Sequence, residues 1–430
     1  MGKNNSKLKN VATNTRACII DILILCNEGA YSNELLPQRL GRSNFSPQDR
    51  AMITNVVYTA LRNQIRIDHA LTKISKRPIA KLDKIVLNAL RSVSAQILLG
   101  FDAHGVVNET VGVMPFAFKS FVNALSRNIV KLSDSNKFFV NETRDIKYSL
   151  PKWIVKEVEN VFGEDNEEYL EFFNESPNVT LFPINDAYDD SKMQVRFTNG
   201  ELVHSALVLE SAGDISELNI IKNGDAIVVD QASQFIVNNI PIKNSDVVLD
   251  MCSAPGGKSF MMASRGAKII ANDISFSRMK KFLNTKERIN ATNVFGQVSD
   301  ATKPNFLSES MDVVLVDAPC SGLGVLRRRA DARNTIKESI IEELSVLQKE
   351  IIKESIKLVK PDGIYVYSVC TFSYKETVHI DDWLLKNYPE FERIAIDAKN
   401  EFVTQKSRGY LLAPGENNDS MYFLILKKTV

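Results

Sequence analysis

From residue 246 onward, short apolar runs alternate with stretches suited to helix, and this alternation restricts the fold more than any other feature of the chain. The runs fall at 247–249, 268–271, 294–298, 313–316 and 364–369. Several are almost continuously apolar, as strands buried on both faces of a parallel sheet are. The longest helix is expected from about Thr335, with Glu338 completing a capping box, to Val359. Its apolar face carries Ile340, Leu344, Leu347, Ile351 and Ile356, and Lys360-Pro361-Asp362-Gly363 ends it. Residues 391–396 and 421–426 supply two last strands. The pattern is that of an α/β doubly wound, Rossmann-like sheet, whose ligands sit beyond the carboxyl ends of the strands.

Those strand ends carry a consistent chemistry. The first run ends at Asp250 and Cys252, the second at Asn272 and Asp273, the third at Ser299 and Asp300, the fourth at Asp317 to Cys320, and the fifth at Ser368 to Thr371. Each delivers an acid or a cysteine to one edge. The first is followed by Cys252-Ser253-Ala254-Pro255-Gly256-Gly257-Lys258-Ser259, a turn between strand and helix in which two glycines let backbone amides approach a ligand. Its ending suggests a phosphate loop, but that motif requires Gly where Cys252 stands, and the dinucleotide pattern is absent too. Asp273 is placed to accept the hydroxyls of a ribose, and Asp300 to meet an adenine amino group or the ribose edge. The loop faces a short anionic group, and several acids suit a cation. Together these requirements describe S-adenosylmethionine.

Cys320, in Asp317-Ala318-Pro319-Cys320, and Cys370, in Val369-Cys370-Thr371, remain at the same edge. Carbon 5 of cytosine is a poor nucleophile, so methylating it needs covalent activation: a thiolate adds to carbon 6, carbon 5 attacks the sulfonium methyl, and elimination frees the thiol. Cysteine suits this because its thiolate is both a strong nucleophile and a tolerable leaving group. An acid beside the base, such as Asp317, stabilises charge developing on the N3/N4 edge.

The rest of the chain reads differently. At 430 residues there is room for two or three domains, and 44% hydrophobic with 24% charged content is ordinary for a globular protein. A net charge of +1 leaves any nucleic-acid surface to local basic clusters. Five cysteines without a C-x-x-C pair and only four histidines argue against a metal site. The polar start and the short, aspartate-interrupted run at 19–25 argue against a signal peptide or a membrane span, so a cytoplasmic protein with reduced thiols is expected. Residues 1–130 read as all-helical, with Ser46-Pro47-Gln48-Asp49 opening one helix. A linker is expected at 131–150, a small α+β domain at 151–244 with strands at 179–182, 193–197, 207–209 and 226–229, and the doubly wound domain at 245–430.

On these motifs, residues 246–428 resemble the RNA cytosine-C5 methyltransferases of the Sun/RsmB type. The resemblance rests on residues 252–258, on 317–322, on Arg327-Arg328 and on Tyr367-Ser368-Val369-Cys370-Thr371. The front resembles the NusB-like RNA-binding domain through Asp49-Arg50, residues 57–62, Asn108-Glu109-Thr110-Val111 and residues 121–127. The resemblance implies S-adenosylmethionine as cofactor, held by the 252–258 loop, Asp273, Asp300 and Asp317. It implies 16S ribosomal RNA, naked or in an assembly intermediate, as partner. It makes Cys370 the nucleophile and Cys320 the thiol that helps resolve the adduct, with Asp317 and Lys258 serving the reaction. It also implies an RRM-like middle domain. Arg327, Arg328, Arg329 and Arg333 are expected at the mouth of the site, on RNA phosphates. The chain departs from the family in having Ala330 where proline is usual and Ser420-Met421 where glycine and phenylalanine are usual. Three other readings stay open: a P-loop-type ATPase, a DNA methyltransferase using Cys320 as nucleophile, and a non-catalytic RNA-binding assembly factor.

Overall fold

The computed structural model describes residues 8, 11–135, 142–163, 166–184, 194–211 and 213–429. Two compact units emerge. One comprises Met1–Glu175 with Leu326–Lys337, the other Ser176–Val325 with Glu338–Val430. This two-part division differs from the four segments expected from sequence. The helices Lys152–Phe162 and Glu167–Phe172 fall in the first unit, and so does a twelve-residue excursion from the α/β region.

The first unit is helical. Its main helices are Thr15–Asn27, Ser32–Gly41, Pro47–Arg62, Gln64–Ile74, Lys84–Leu98, Ala103–Val113 and Phe116–Asp134. The expected helix start at Ser46 is present in full: the Ser46 hydroxyl accepts from the Asp49 amide, the Asp49 carboxylate accepts from the Ser46 amide, and Pro47 takes the first turn, where its missing N–H costs nothing. Apolar faces close into two cores, one built on Ile19, Ile22, Ile53, Val56 and Val57 and the other on Ile67, Val86, Leu90, Val93 and Val122. Arg91 clamps Asp68 with two hydrogen bonds, Nε to Oδ1 at 2.8 Å and Nη2 to Oδ2 at 2.6 Å. Lys131, placed in a linker from sequence, continues the last of these helices; residues 136–141 of that expected linker lie outside the described ones.

The second unit holds two sheets. Strands β1 (Val179–Pro183), β2 (Phe197–Asn199), β3 (Leu207–Leu209) and β4 (Ala226–Val228) form an antiparallel sheet in the order β2-β3-β1-β4. The strand expected at 193–197 survives only as Phe197, the first residue of β2, and Met193 lies outside the described residues. The helix Gln231–Asn239 then leads to the larger sheet. Its N-cap Asp230 accepts from the Ala232 amide at 2.8 Å.

The larger sheet has nine strands. They are β5 (Val247–Asp250), β6 (Lys268–Asp273), β7 (Val294–Val298), β8 (Met311–Asp317), β9 (Val359–Val369), β10 (Phe391–Arg393), β11 (Val403–Lys406), β12 (Gly409–Leu412) and β13 (Met421–Lys428). Strands β9-β8-β5-β6-β7 run parallel in that spatial order, and β13 pairs antiparallel with β9. The crossover direction reverses between β5 and β8, which is where a doubly wound sheet opens a crevice at its carboxyl edge.

Two expectations are corrected. The long helix from Thr335 to Val359 is broken: Ala332–Thr335 is a short turn of helix in the first unit, and the main helix is Ile340–Ser355. The capping box at Thr335 does not form, because the Thr335 hydroxyl donates back to the Asp331 carbonyl at 3.3 Å. Lys360-Pro361-Asp362-Gly363 does not follow the helix as a terminator but lies inside β9, where Asp362 has φ of 61° and the register to β8 shifts. The β11–β12 hairpin was not anticipated. No helix among the described residues is long and apolar enough to cross a membrane.

Candidate active site

The loop after β5 is shaped by one glycine. Gly256 has φ of 110°, and a Cβ there would lie 2.5 Å from the Phe282 ring and 2.6 Å from Phe260. Those rings are stacked with centroids 4.7 Å apart, so the loop turns over an aromatic floor and re-enters as the helix Gly257–Ala263. Asn272, at the end of β6, ties the neighbouring loops together. Its side-chain amide donates to the Met251 and Ser299 carbonyls, both at 3.1 Å, and its backbone carbonyl accepts from the Ser253 amide at 2.8 Å.

At this edge lies a cavity of about 250 Å³. The loop contributes Ser253, Ala254, Pro255, Gly257 and Lys258, the strand ends contribute Asp250, Asp317 and Cys370, and Val228, Val229, Asp230, Ser233, Val325, Asp419 and Met421 complete the lining. Lys258 Nζ donates to Asp317 Oδ2 at 2.7 Å, and the Ser368 hydroxyl donates to Asp317 Oδ1, also at 2.7 Å. Burial works against the Lys258 ammonium, but Asp317 outweighs it, with help from Cys370 and Asp250, and holds the group above the ordinary lysine range. Asp250 is buried, which pushes its carboxyl up to about 7; Asp317 adds to the shift, while the Ser259 hydroxyl, donating to Oδ2 at 2.6 Å, and Lys258 oppose it. Its Oδ1 is buried with no hydrogen-bond partner among the described residues.

Cys320 and Cys370 come together, with sulfurs 3.3 Å apart. The contact with Cys370, followed by burial, pushes the Cys320 thiol well above the usual cysteine range, and Glu376 and Asp317 add to the shift. Backbone bonds hold the two loops in place. The Gly324 amide donates to the Cys370 carbonyl, and the Ser420 amide donates to the Gly324 carbonyl, each at 3.1 Å. A Cβ on Gly324 would stand 1.9 Å from the Ser420 carbonyl oxygen, so no larger residue fits this approach.

The other sites expected from sequence are placed as follows. Asp273 is buried and accepts from the Ala254 amide (3.2 Å), the Ser275 amide (2.8 Å) and Arg278 (2.8 Å), so it anchors the loop from beneath. Asp300 is exposed, and its carboxylate is held below the ordinary range by hydrogen bonds from the Thr302 amide and hydroxyl. The Cys252 thiol is pushed up by burial and by Asp250. Cys252, Gly256, Asp273 and Asp300 do not line the cavity itself.

The basic cluster is corrected. Arg327 and Arg333 are buried, at 1% and 0% exposure, Arg328 is half-buried, and only Arg329 is exposed. Arg333 spends its donors on the Phe173 carbonyl, on Asn174 Oδ1 at 2.7 Å and on the Arg62 carbonyl at 3.2 Å, and burial beside Arg62 lowers it to about 9. Ala330 packs into a helical core, and Asp331 accepts from the Ser32 hydroxyl at 2.5 Å. These residues fasten the excursion into the helical unit and leave no row of free guanidinium groups.

Residues 238–427 match the family described as 16S rRNA methyltransferase RsmB/F, and residues 13–131 match the NusB family. The α/β part of this chain is thus similar to the RsmB/F methyltransferases, and its helical front to the NusB family. It is 28% identical over 409 residues to the probable ribosomal RNA small subunit methyltransferase B of Bacillus subtilis (strain 168), covering 88% of this chain and 90% of that protein. It is 26% identical to ribosomal RNA small subunit methyltransferase B of Vibrio vulnificus (strain YJ016), covering 96% and 99%. The crystal structure titled PH0851 shares the fold with a TM-score of 0.80 at 21% identity, covering 96% of this chain and 98% of that one. The RsmB/F segment takes in both cysteine loops and the cavity lining from Asp250 to Met421, while Asp230 and Ser233 lie just before it. Asp230, Ser233, Asp419 and Met421 were not singled out from sequence as site residues, because they approach the edge from outside the parallel strands. Asp250 was recognised at its strand end, but its buried, unpartnered oxygen is visible only in the fold.

Proposed function

We propose that this protein methylates carbon 5 of a cytosine in small-subunit ribosomal RNA, using S-adenosylmethionine and a covalent adduct on Cys370. The observation that carries this reading is the meeting of Cys370 and Cys320, 3.3 Å apart, beside the Lys258–Asp317 pair. The small-subunit RNA substrate comes from the names of the relatives.

The cavity suits a cationic methyl donor. Asp230, Asp250, Asp317 and Asp419 line it against the single ammonium of Lys258, and the buried Asp250 Oδ1 is available to a cation. Ser253 to Lys258, Asp250 and Asp317 would hold S-adenosylmethionine, with Asp273 supporting the loop and Asp300 at the outer end of the edge. When bound, the cofactor supplies an electrophilic methyl group. The protein's residues do the rest. Cys370 sulfur bonds to carbon 6 of cytosine, and the carbon 5–carbon 6 electron pair becomes available at carbon 5. The Lys258 ammonium stabilises the Cys370 thiolate before attack and after release. Asp317, oriented by Lys258 and Ser368, faces the base edge. Once carbon 5 is substituted it passes its proton to solvent water, the carbon 5–carbon 6 double bond re-forms and Cys370 departs with the carbon–sulfur pair; Cys320 assists this release. The target base must leave its stack to reach a half-buried thiol. Arg329 remains the exposed candidate from the basic cluster for an RNA phosphate.

Transfer from labelled cofactor into small-subunit RNA, with covalent capture of the RNA, tests the proposal. Cys370→Ala is expected to abolish both transfer and capture, and Cys320→Ala to leave a trapped protein–RNA adduct. Exchanged outcomes would overturn the roles of the two cysteines, transfer unaffected by either variant would overturn the covalent mechanism, and no transfer by the parent protein would overturn the enzymatic reading.

A further inference from the structure

Behind the two thiols lies a buried polar network. Glu376 closes the short 3₁₀ turn Tyr374–Glu376 just after β9 and is 0% exposed. Its Oε1 accepts from the Ser321 amide at 2.8 Å and from Gln348 Nε2 at 3.1 Å. Its Oε2 accepts from the Ser321 hydroxyl at 2.5 Å and from the Thr371 hydroxyl at 3.4 Å. Gln348 Nε2 also donates to the Pro319 carbonyl at 3.0 Å, and the Tyr367 hydroxyl shares its one proton between the Gln348 Oε1 at 3.0 Å and the Glu376 carbonyl at 2.8 Å. A carboxylate this deeply buried is expensive unless its oxygens are fully occupied, and here four donors occupy them.

The arrangement is lopsided. The bonds from the Glu376 carboxylate and its partner Gln348 grip Pro319 and Ser321, the residues on either side of Cys320, whereas toward the Cys370 loop that carboxylate makes one long contact, to Thr371, whose hydroxyl also lies 2.9 Å from that of Ser321. Cys370 instead sits at the end of β9, whose ladder to β8 and β13 fixes it independently. Cys320 has no such strand, since β8 ends at Asp317.

We propose that Glu376 is the positioning residue for Cys320: through Ser321 and, by way of Gln348, Pro319, it holds the release thiol against Cys370. Glu376 does not reach the cavity and acts only through the Cys320 loop. The inference rests on the proposed roles of the two cysteines and predicts a specific defect. Loosening the Cys320 loop leaves attack by Cys370 intact and slows release, so the adduct accumulates.

The test follows adduct formation and decay after mixing full-length protein, cofactor and RNA, with thermal melting of each variant. Glu376→Ala is expected to form the adduct at the parent rate and lengthen its lifetime on the order of 10- to 100-fold, as displacement of a catalytic group by about 1 Å does. Glu376→Gln is expected to restore release. Its amide oxygen can take the place of Oε1 toward both N–H donors, and its amide nitrogen can donate to the Ser321 and Thr371 hydroxyls, which accept as readily as they donate. Should Glu376→Ala not fold, Gln348→Ala carries the test, since it removes the tie to Pro319 and is expected to lengthen the lifetime in the same direction. A variant that slows formation and release equally, or a Glu376→Gln protein as defective as Glu376→Ala, would overturn the positioning role. Cys320→Ala, run alongside, separates the two levels: without a trapped adduct there, the cysteine roles themselves fail, whereas a trapped adduct there but none in folded Glu376→Ala sinks this inference alone.

Discussion

The sulfur of Cys320 lies 3.3 Å from that of Cys370, although the two residues are separated by the helix Ile340–Ser355 and the whole of β9. Parallel pairing of β8 with β9 brings their carboxyl ends side by side, and the Gly324–Cys370 backbone bond draws the two loops into contact. Thiols this close are expected to form a disulfide with a diazene oxidant such as diamide, the two sulfurs giving up two electrons and two protons to the N=N bond. Methyl transfer should be lost as both thiols disappear from alkylation, and dithiothreitol should restore both. Activity loss without loss of those two thiols would refute the expectation.

Asp250 gives the site a pH dependence. Its carboxyl, raised to about 7 by burial, keeps its proton in the folded protein across a range where the unfolded chain has lost it. The stability it contributes is therefore present below the ordinary carboxylate range and is lost as pH rises toward 7. A cationic ligand prefers the ionised form, so S-adenosylmethionine should bind more tightly as pH rises through about 7. Asp250→Asn is expected to flatten both dependences, which calorimetry and thermal melting would read.

The Lys258–Asp317 pair is buried on the lysine side, at 9% side-chain exposure against 32% for Asp317. Replacing Lys258 with Met leaves a carboxylate in the site without its counter-charge. Loss of one partner of a buried pair costs roughly 3–5 kcal/mol, and the half-exposed acid puts this case at or below the lower end. Lys258→Met is expected to lower the melting temperature and abolish methyl transfer. Adding Asp317→Asn should recover stability but not activity.

Arg333 should behave as a structural residue. Its truncation leaves two buried carbonyls, of Arg62 and Phe173, and the half-buried Asn174 oxygen without this donor, and each buried acceptor is worth about 1–3 kcal/mol. Arg333→Ala is expected to destabilise the helical unit while leaving the salt dependence of RNA binding unchanged. Arg329→Ala should do the reverse, keeping stability and lowering the slope of log affinity against log salt by somewhat less than 1, the release of about one counterion.

Gly324→Ala should be poorly tolerated, because the new methyl would meet the Ser420 carbonyl, a backbone atom that side-chain rotation cannot move aside. Forced overpacking of this kind costs about 1–3 kcal/mol. The expected result is a lower melting temperature together with slowed adduct release, since the same glycine joins the Cys320 loop to Cys370.

The helical front, the parallel strands and the strand-end residues were legible in the sequence because each is written in local pattern. Amphipathic spacing marks the helices, near-continuous apolar runs mark β5 to β9, and the parallel direction implied by the strand–helix alternation sends the residues beyond each run to one edge. Local pattern also misled. Arg327 to Arg333 read as a solvated basic turn because charge in sequence is silent about burial, and Thr335 to Val359 read as one helix because the excursion into the helical unit leaves no mark on periodicity. The loop at 252–258 and the two cysteines were determined by the sequence itself. Only the tertiary structure decided that the cysteines meet, that Asp250, in the cavity lining, keeps a buried oxygen with no partner among the described residues, and that Glu376 grips the Cys320 loop. Each of these depends on which strands lie side by side and on what burial does to a charge, and neither is contained in residue spacing.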